Sequence, residues 1–413
     1  MSELMFPQDF LIGAATSSYQ IEGEIYNTDW YIWEKLGHIV TGEPCGKACN
    51  SWELYEKDVQ LVEEFGLNAY RMSIEWARVF PEENVIDFDA LAHYKEYLAT
   101  FKDKGIKTFV TLHHFTTPIW MYQKGSWENK EVIKEFLKYA YVVGRELGDN
   151  VDAWMTINEP GVVSVLGYFT GIFPPGKNSV LSTIRVTTNQ LIAHAETYKL
   201  LKKLTPNVPV GIVKNITWFY SLNLFPLDKY LAWFINKLFN DNYLRGIRTG
   251  KLPFSQKRYP GLKGSIDFWG LNYYTHVWIS QKLPNMAINH LPNAEKVTQT
   301  GWEWDSEGLL RAIQLLWDTL QRPIYITENG IATLKDEERV EYIKEHLAQV
   351  LEALKLGIPV KGYFYWSLID NFEWLEGYIP KFGLAGFDHK TFERQPRKSG
   401  YFLGEILKTK KLF

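Results

Sequence analysis

Two glutamic acids stand where short apolar segments of the sequence end. Glu159 closes a segment that begins at Ala153, and Pro160 beside it must end any strand there. Glu328 closes a second segment, which begins at Pro323. An apolar strand segment flanks each glutamate on its N-terminal side, so a role on the solvated surface is less expected. Two carboxyls that face each other across a cavity can cleave a glycosidic bond, because one protonates the leaving oxygen and the other supports positive charge at the anomeric carbon.

The two segments that carry these glutamates belong to a larger set. Its members are short and rich in Val, Ile, Thr, Phe and Tyr, and most are nearly continuous apolar runs, as is typical of strands buried on both faces. The set comprises Phe10–Thr16, Asn68–Trp76, Lys107–His114, Ala153–Pro160, Val208–Asn215, Ile266–Tyr274, Pro323–Gly330 and Val360–Asp370.

Helical patterns lie between these segments. Ser51 is predicted to cap a helix over Trp52–Phe65, which Gly66 ends. Three more helices should end at a glycine, where a positive φ is needed: Asp89–Lys104 at Gly105, Glu131–Leu147 at Gly148 and Glu337–Leu356 at Gly357. The remaining predicted helices are Thr183–Leu204, Asp228–Arg248, Ser306–Leu320 and Arg397–Lys408.

This alternation predicts the α/β class and a single-domain (β/α)8 TIM barrel with long βα loops over residues 1–413. An open doubly wound sheet should carry a glycine-rich turn after its first strand, and the stretch Ala15–Gln20 contains no glycine. The active site of such a barrel lies at the carboxyl ends of its strands. Seven of the eight ends carry polar or aromatic side chains that could form one site: Gln20, Arg71, His113-His114, Asn158-Glu159, Asn272–Tyr274, Glu328-Asn329 and Trp366. The fifth end, Lys214-Asn215, is uninformative.

Composition excludes several classes of protein. Of 413 residues, 46% are apolar and 23% charged, which is the usage of an ordinary globular protein. The net charge of −3 provides no basic field, so no nucleic-acid partner is expected. Aromatic residues reach 15%, enough to fill a large core and also to offer flat surfaces on which sugar faces stack.

The sequence also suggests a compartment. No apolar run approaches the ~20 residues that a spanning helix needs, and the first basic residue is Lys35, so no secretory leader is expected and a cytoplasmic location is predicted. Cys45 and Cys49 could form a disulfide or a metal pair, but only His38 is near them in sequence. Free thiols are therefore expected.

Five sequence blocks resemble family 1 glycoside hydrolases, the retaining β-glycosidases. They follow the family's order, and the resemblance covers essentially the whole chain. The blocks are Phe10–Gly23, Thr156–Pro160, Gly270–Tyr274, Ile326–Gly330 and Trp366–Trp374.

The resemblance implies a catalytic pair, with Glu328 as nucleophile and Glu159 as general acid/base. It places Arg71 and Tyr274 beside the nucleophile, where they should keep it ionised. Glu159, facing that charge, should stay protonated until a glycosyl–enzyme ester forms, and should then act as a base toward water. A retaining enzyme should hold its two carboxyls about 5–5.5 Å apart.

The resemblance also implies how a sugar would bind. Asn158 should contact the 2-hydroxyl, but strand alternation points Asn158 and Glu159 to opposite faces, so the strand must bend or bulge before Pro160. Asn272 and Tyr274 share a face without such a device. The other implied substrate contacts are Gln20, His114, Glu373 and Trp374 with hydroxyls, Trp366 as a stacking floor and Trp302 on the leaving-group side. His113 is expected to be structural.

The substrate class follows from these residues. Glu373 at the 4- and 6-hydroxyls would repel a 6-phosphate, which favours an unphosphorylated β-glucoside, galactoside, mannoside or fucoside. Among these, the resemblance favours the β-glucoside, with the other three as side activities. Phe115–Pro118 stands where Trp-Asp-Leu-Pro is common, and Ile74–Arg78 replaces Ile-Ser-Trp-Pro-Arg. These departures resemble the archaeal branch of the family.

The stretch 218–239 is unusually rich in aromatic and aliphatic residues. One interpretation is a barrel helix with an apolar loop. The other is an exposed aromatic patch that contacts amphiphiles, a membrane surface or a partner subunit, with a preference for hydrophobic aglycones.

Two other functions remain open at this point. A catalytically inactive, sugar-binding barrel should have lost a carboxylate, and this sequence retains both. A metal-dependent barrel enzyme would need ligands that His113, His114 and Glu159 do not present on one face. No metal or organic cofactor is therefore expected.

Overall fold

Eight parallel strands close into a barrel in the computed structural model, which describes residues 5–283 and 287–413. Each strand pairs with its neighbours in chain order, and the last pairs with the first. Each also lies within a predicted segment, so the predicted (β/α)8 barrel is confirmed. The strands are β1 Leu11–Ala15, β2 Ala69–Ser73, β3 Lys107–His113, β4 Ala153–Asn158, β5 Val210–Asn215, β6 Phe268–Asn272, β7 Ile324–Asn329 and β8 Val360–Trp366.

Aromatic rings from four strands fill the barrel interior. The ring of Phe109 on β3 lies 5.0 Å from that of Tyr325 on β7 and 4.7 Å from that of Phe364 on β8. Gly211 on β5 makes room for Phe268 on β6, because a β-carbon at Gly211 would lie 2.6 Å from the Phe268 ring. The barrel interior is therefore a packed core, and a functional cavity is expected only at the carboxyl ends of the strands.

Helices surround the barrel. The α-helices are Ser18–Ile21, Asp29–Lys35, Ser51–Glu64, Trp76–Val79, Phe88–Asp103, Ile119–Gln123, Glu131–Leu147, Pro160–Tyr168, Val180–Leu204, Pro226–Asn236, Asn242–Thr249, Ser306–Thr319, Asp336–Lys355 and Lys398–Thr409. Single 3₁₀ turns cover Ser126–Glu128, Gly148–Asn150 and Trp374–Glu376, and a π turn covers Lys237–Asp241.

Two local predictions about these helices are wrong. Ser51 is the first helical residue, and the cap before it is Asn50 in a left-handed conformation. Gly148 keeps a right-handed φ of −56° because the chain tightens there into a 3₁₀ turn. The helix predicted over Asp228–Arg248 is present as Pro226–Asn236 and Asn242–Thr249, which the π turn Lys237–Asp241 joins without a break.

The long loops after β5 and β6 build a separate small sheet. Trp218–Ser221 pairs in parallel with His276–Ile279, which pairs antiparallel with Ala287–Ile288. Part of the aromatic stretch 218–239 is thus a strand, and the helix Pro226–Asn236 follows it. Within the described residues, no helix has the length and apolar character needed to cross a membrane.

Candidate active site

Glu328 lies near the end of β7, and its two carboxylate oxygens accept hydrogen bonds from different strands. Arg71 Nη1, on β2, donates to Oε1 at 2.6 Å, and the Tyr274 hydroxyl, just beyond β6, donates to Oε2 at 2.7 Å. Arg71 is fully buried and Glu328 is 4% exposed. A charge-assisted bond at this depth fixes the orientation of the Glu328 carboxylate.

Glu159 reaches the same cavity because the chain bends at the end of β4. Its φ of 42° and ψ of 57° are left-handed, and it caps the helix Pro160–Tyr168. The register between β4 and β5 also shifts between Met155 and Asn158. The bend that Asn158 and Glu159 require is therefore present.

Hydrogen-bond donors from neighbouring strands hold both side chains at this bend. Asn158 Oδ1 accepts from Arg71 Nη2 at 2.6 Å. Glu159 Oε1 accepts from Asn272 Nδ2 at 2.7 Å and from Asn215 Nδ2 at 3.1 Å. Donors from β2, β5 and β6 thus converge on Asn158, the last residue of β4, and on Glu159, which follows it.

The surroundings of Glu159 favour its protonated form. Burial, followed by the negative charge of Glu328, raises the pKa of Glu159 to about 7, although Asn272, Asn215 and Lys214 act in the opposite direction. A carboxyl with a pKa near neutrality can both donate and accept a proton at physiological pH. This is the behaviour that a general acid/base needs.

The tandem histidines point in different directions. Asn158 Nδ2 donates to His114 Nε2 at 3.1 Å, and burial together with the charge of Arg71 lowers the pKa of His114 well below its usual value. A neutral His114 therefore faces the site. His113 instead accepts from Trp127 Nε1 at 3.0 Å, and burial lowers the pKa of His113 to about 3.

A cavity of about 760 Å³ opens over the strand ends. Eight of the predicted site residues line it: His114, Glu159, Tyr274, Trp302, Glu328, Trp366, Glu373 and Trp374. The other four predicted residues are hydrogen-bonded to lining side chains: Gln20 to Glu373, Arg71 to Glu328, Asn158 to His114 and Asn272 to Glu159.

One wall of the cavity is a cluster around Glu373. Gln20 Nε2 donates to Glu373 Oε2 at 3.2 Å and to the Phe372 carbonyl at 2.8 Å. Burial raises the pKa of Glu373 to about 8, so this carboxyl can donate as well as accept hydrogen bonds. The Trp366 ring stacks on His114 with centroids 5.8 Å apart, which leaves a flat aromatic surface at the cavity.

The outer half of the cavity is apolar. Trp302 stands beside Tyr274 with ring centroids 5.3 Å apart. Beyond it, the helix Pro160–Tyr168, the small sheet and the segment 235–239 contribute the lining residues Val162, Val165, Leu166, Phe169, Phe219, Ile235, Phe239, Val277 and Ile279. The lining away from the glutamates is therefore mainly apolar, with a few polar side chains such as Thr217, Thr275 and Asn289 among it.

The sequence interpretation missed two residues at the end of β5. Asn215 lines the cavity and donates to Glu159, and Lys214 is buried behind it. A lysine and an asparagine at a strand end are usually solvated residues of the barrel rim, so their residue types do not indicate a role in the site. Strand alternation was the one available signal, because it turns Asn215 toward the barrel axis.

Metal-ligating side chains do not cluster in this protein, as far as residues 5–283 and 287–413 are concerned: no three His, Cys, Asp or Glu are arranged to hold an ion. Cys45 and Cys49 are buried free thiols, whose Sγ atoms donate to the carbonyls of Tyr19 and Asp370.

Comparisons with known proteins bear on this geometry. The family model described as glycosyl hydrolase family 1 matches residues 2–412. Beta-glucosidase A of Acetivibrio thermocellus is 33% identical over 99% of both chains. Among solved structures, a beta-glycosidase from Pyrococcus horikoshii is 42% identical with a TM-score of 0.90, covering 100% of this chain and 96% of that one. A beta-glucosidase from Thermotoga maritima in complex with deoxynojirimycin is 31% identical with a TM-score of 0.92, covering 99% and 100%.

Proposed function

This chain belongs to glycosyl hydrolase family 1, and we propose that it hydrolyses terminal, non-reducing β-glucosides by double displacement, with Glu328 as nucleophile and Glu159 as acid/base. Membership makes it a glycoside hydrolase of the β-glucosidase type. The observation that carries the assignment of roles is the difference in partners. Glu328 is bonded to a buried cation, whereas Glu159 is bonded to neutral amides.

In the first step, Glu328 attacks the anomeric carbon while Glu159 donates its proton to the leaving oxygen. The ester that forms removes the negative charge of Glu328. Because that charge is one of the causes that raise the pKa of Glu159, the pKa should then fall. Glu159 can therefore take a proton from the water that attacks the ester, which releases the sugar with retained configuration.

The polar half of the cavity suits an unphosphorylated sugar. Gln20, His114, Glu373 and Trp374 are proposed to bind hydroxyls, with Asn158 near the 2-hydroxyl and Trp366 as the stacking floor. Among the described residues that line the cavity there is no Lys or Arg to pair with a phosphate. Glucosides are proposed as the preferred substrates, and galactosides, mannosides and fucosides as side activities.

The apolar half of the cavity suits a hydrophobic aglycone, with Trp302 at its inner boundary. Each methylene moved from water to an apolar surface contributes about 0.8 kcal/mol. An octyl glucoside is therefore expected to have a kcat/KM at least ~10-fold above that of methyl glucoside, which corresponds to only about 1.4 kcal/mol. Equal values for the two substrates would contradict this preference.

The outer surface of the stretch 218–239 suits contact with an amphiphile or a membrane surface. Its exposed apolar side chains are Leu224 (85%), Phe225 (50%), Leu227 (47%), Tyr230 (53%) and Trp233 (51%). The Phe234 ring lies 6.2 Å from Phe169, a residue of the cavity wall, so apolar side chains continue from this surface into the cavity. Residues 242–266, which follow this stretch in the chain between Asp241 and Asp267, contain six basic and no acidic residues, which favours an anionic partner.

A panel of aryl β-glycosides, followed by NMR of the first product anomer, tests the proposed function. Glucosides should be cleaved fastest, and the β-anomer should appear first. Appearance of the α-anomer first would contradict retention. Binding of glucosides without turnover would favour the alternative, an inactive sugar-binding barrel, which the presence of both glutamates with Arg71 and Tyr274 opposes.

A further inference from the structure

A lysine is buried behind Glu159. Lys214 is the next-to-last residue of β5 and is 1% exposed. Strand alternation turns its neighbour Asn215 into the cavity and Lys214 to the other face, toward the helix Pro160–Tyr168 and the π turn Lys237–Asp241. A buried lysine that no other part of the site explains needs a reason, because burying a cation opposes folding.

The ammonium group of Lys214 has few partners. Nζ donates to the carbonyl of Asn215 and lies 4.4 Å from the centroid of the Phe239 ring. A β-carbon on Gly161 would lie 3.3 Å from Nζ, so the first turn of the helix that Glu159 caps closes over the ammonium. Within the described residues, no ion pair of 4.0 Å or less joins Lys214 to a carboxylate.

Two carboxylates act on Lys214 through their charge, Glu159 and Asp241. Asp241 is already paired with Lys237 at 2.6 Å on the same π turn. Glu159 has no cation bonded to it, since its partners are Asn215 and Asn272. Lys214 is therefore placed to act mainly on Glu159.

The other charged or titratable groups around Glu159 act differently. Glu328 raises the pKa of Glu159, and Glu373 and Tyr274 also interact with Glu159 electrostatically. Burial lowers the pKa of Lys214 to about 7, while the charge of Glu159 raises it. An ionised Glu159 and a protonated Lys214 therefore stabilise each other.

We propose that Lys214 is a positioning residue whose buried ammonium stabilises the ionised form of Glu159 when that carboxyl must act as a base. The inference rests on the proposed function, because it assigns Lys214 to the second half of that reaction. Glu328 keeps the proton on Glu159 during the first step. Once the ester has neutralised Glu328, the charge of Lys214 still favours the ionised form of Glu159 and helps it to release the proton. Asn215 links the two residues, since its backbone carbonyl accepts a hydrogen bond from Lys214 and its side-chain amide donates one to Glu159.

The test is the pH profile of Lys214→Met, with Lys203→Met as a matched control on the exposed surface of the helix Val180–Leu204. Without the ammonium, the alkaline limb of kcat/KM for an alkyl glucoside should move upward by about 0.5 pH unit or more. For 2,4-dinitrophenyl β-glucoside, kcat is limited by hydrolysis of the ester, which needs ionised Glu159. At pH 5 this kcat should fall about threefold, because a rise of about 0.5 unit in the pKa of Glu159 lowers the ionised fraction by that factor. The control should show neither change.

The stability of the variant separates this role from a structural one. Lys214→Met should have a melting temperature equal to or above that of the wild type, since methionine fills the site without a buried charge. An unmoved alkaline limb in folded Lys214→Met would overturn the inference while leaving the proposed function intact. Failure of both Lys214→Met and Lys214→Gln to fold, seen by circular dichroism, would assign Lys214 to structure and also overturn it. An inactive wild type would instead refute the proposed function, and this inference with it.

Discussion

Glu159 and Glu328 share one cavity but differ in their neighbours, and that difference is expected to divide the chemical work between them. Arg71 and Tyr274 each donate to one oxygen of Glu328, whereas Glu159 receives bonds from neutral amides and faces a negative charge. The same type of side chain thus meets two environments. Paired carboxyls in unlike environments are the usual arrangement for separate acid and nucleophile roles.

The first prediction at this scale concerns pH. Glu159 must be protonated to assist departure of a poor leaving group, and burial with the charge of Glu328 raises its pKa to about 7. The kcat/KM for octyl β-glucoside should therefore fall as pH rises through about 7, because the acid is lost. A profile that stays level to pH 9 would show that Glu159 is not the acid.

Replacement of Glu159 by alanine should affect substrates unequally. The kcat/KM for an alkyl glucoside should fall by about 10²–10⁴, the usual contribution of a general acid. The loss for 2,4-dinitrophenyl glucoside should be far smaller, since that leaving group needs no proton. Equal losses on both substrates would contradict the assignment of Glu159. Glu328→Ala, the comparison variant, should abolish turnover of both.

Much of the site at this scale could be predicted from the sequence. Asn158 and Glu159 were expected to need a bend, and the left-handed Glu159 supplies it. Lys214 and Asn215 were not assigned, because nothing in their types separates a buried lysine from a solvated one. Only the packing of Gly161 and Phe239 around the ammonium makes that distinction.

At the scale of elements, Glu75 and Thr116, two residues that differ from the common family motifs, contact each other. The hydroxyl of Thr116 donates to Glu75 Oε2 at 2.9 Å, and Glu75 Oε1 accepts from the backbone of Ala77 at 3.2 Å. In the common motifs, serine takes the place of Glu75, aspartate that of Thr116 and proline that of Ala77. The carboxylate and the hydroxyl have thus exchanged positions, and the N–H that proline lacks finds an acceptor in Glu75.

This exchange predicts a non-additive pair of substitutions. Glu75→Ser should lower the free energy of unfolding by about 1–3 kcal/mol, since buried donors lose their acceptor. Thr116→Asp should also destabilise, because it places a second carboxyl beside Glu75. The double variant should be more stable than the sum of the two losses implies, as measured by urea unfolding. Additive losses would mean that the two positions do not compensate each other.

Helix ends were the least predictable elements. Gly66, Gly105 and Gly357 have φ values of 70°, 71° and 77°, as expected after a last helical turn. Gly148 does not, because a 3₁₀ turn continues the chain in a right-handed conformation. A glycine permits a positive φ but does not require it, so its presence alone could not distinguish these cases.

At the scale of the whole molecule, the barrel could be predicted because most of its eight strands are nearly continuous apolar runs and because the strands alternate with helices. The small sheet could not be predicted. Trp218–Ser221 pairs with His276–Ile279, more than 50 residues away in sequence, and a run of aromatic residues is compatible with a strand, a helix or a loop. That sheet and the helix Pro226–Asn236 provide the apolar mouth of the cavity.

The exposed apolar surface beside this mouth carries the prediction at this scale. The wild type should co-sediment with vesicles of phosphatidylglycerol, and less so at high salt, because basic residues flank the surface. The double variant Leu224→Ser/Trp233→Ser should lose most of this binding. Leu356→Ser, at an exposed leucine that leads into the opposite end of the barrel, should retain it. Absence of wild-type binding would contradict membrane contact.

The most direct measurement is to trap the covalent sugar on the enzyme. A 2-deoxy-2-fluoro-β-glucoside with a dinitrophenyl leaving group should inactivate the protein, because fluorine slows both steps while the leaving group keeps the first one accessible. Mass spectrometry of the digested protein should then find the fluoroglucosyl group on the peptide that contains Glu328. A label on any other residue, or continued turnover with no label, would contradict the account.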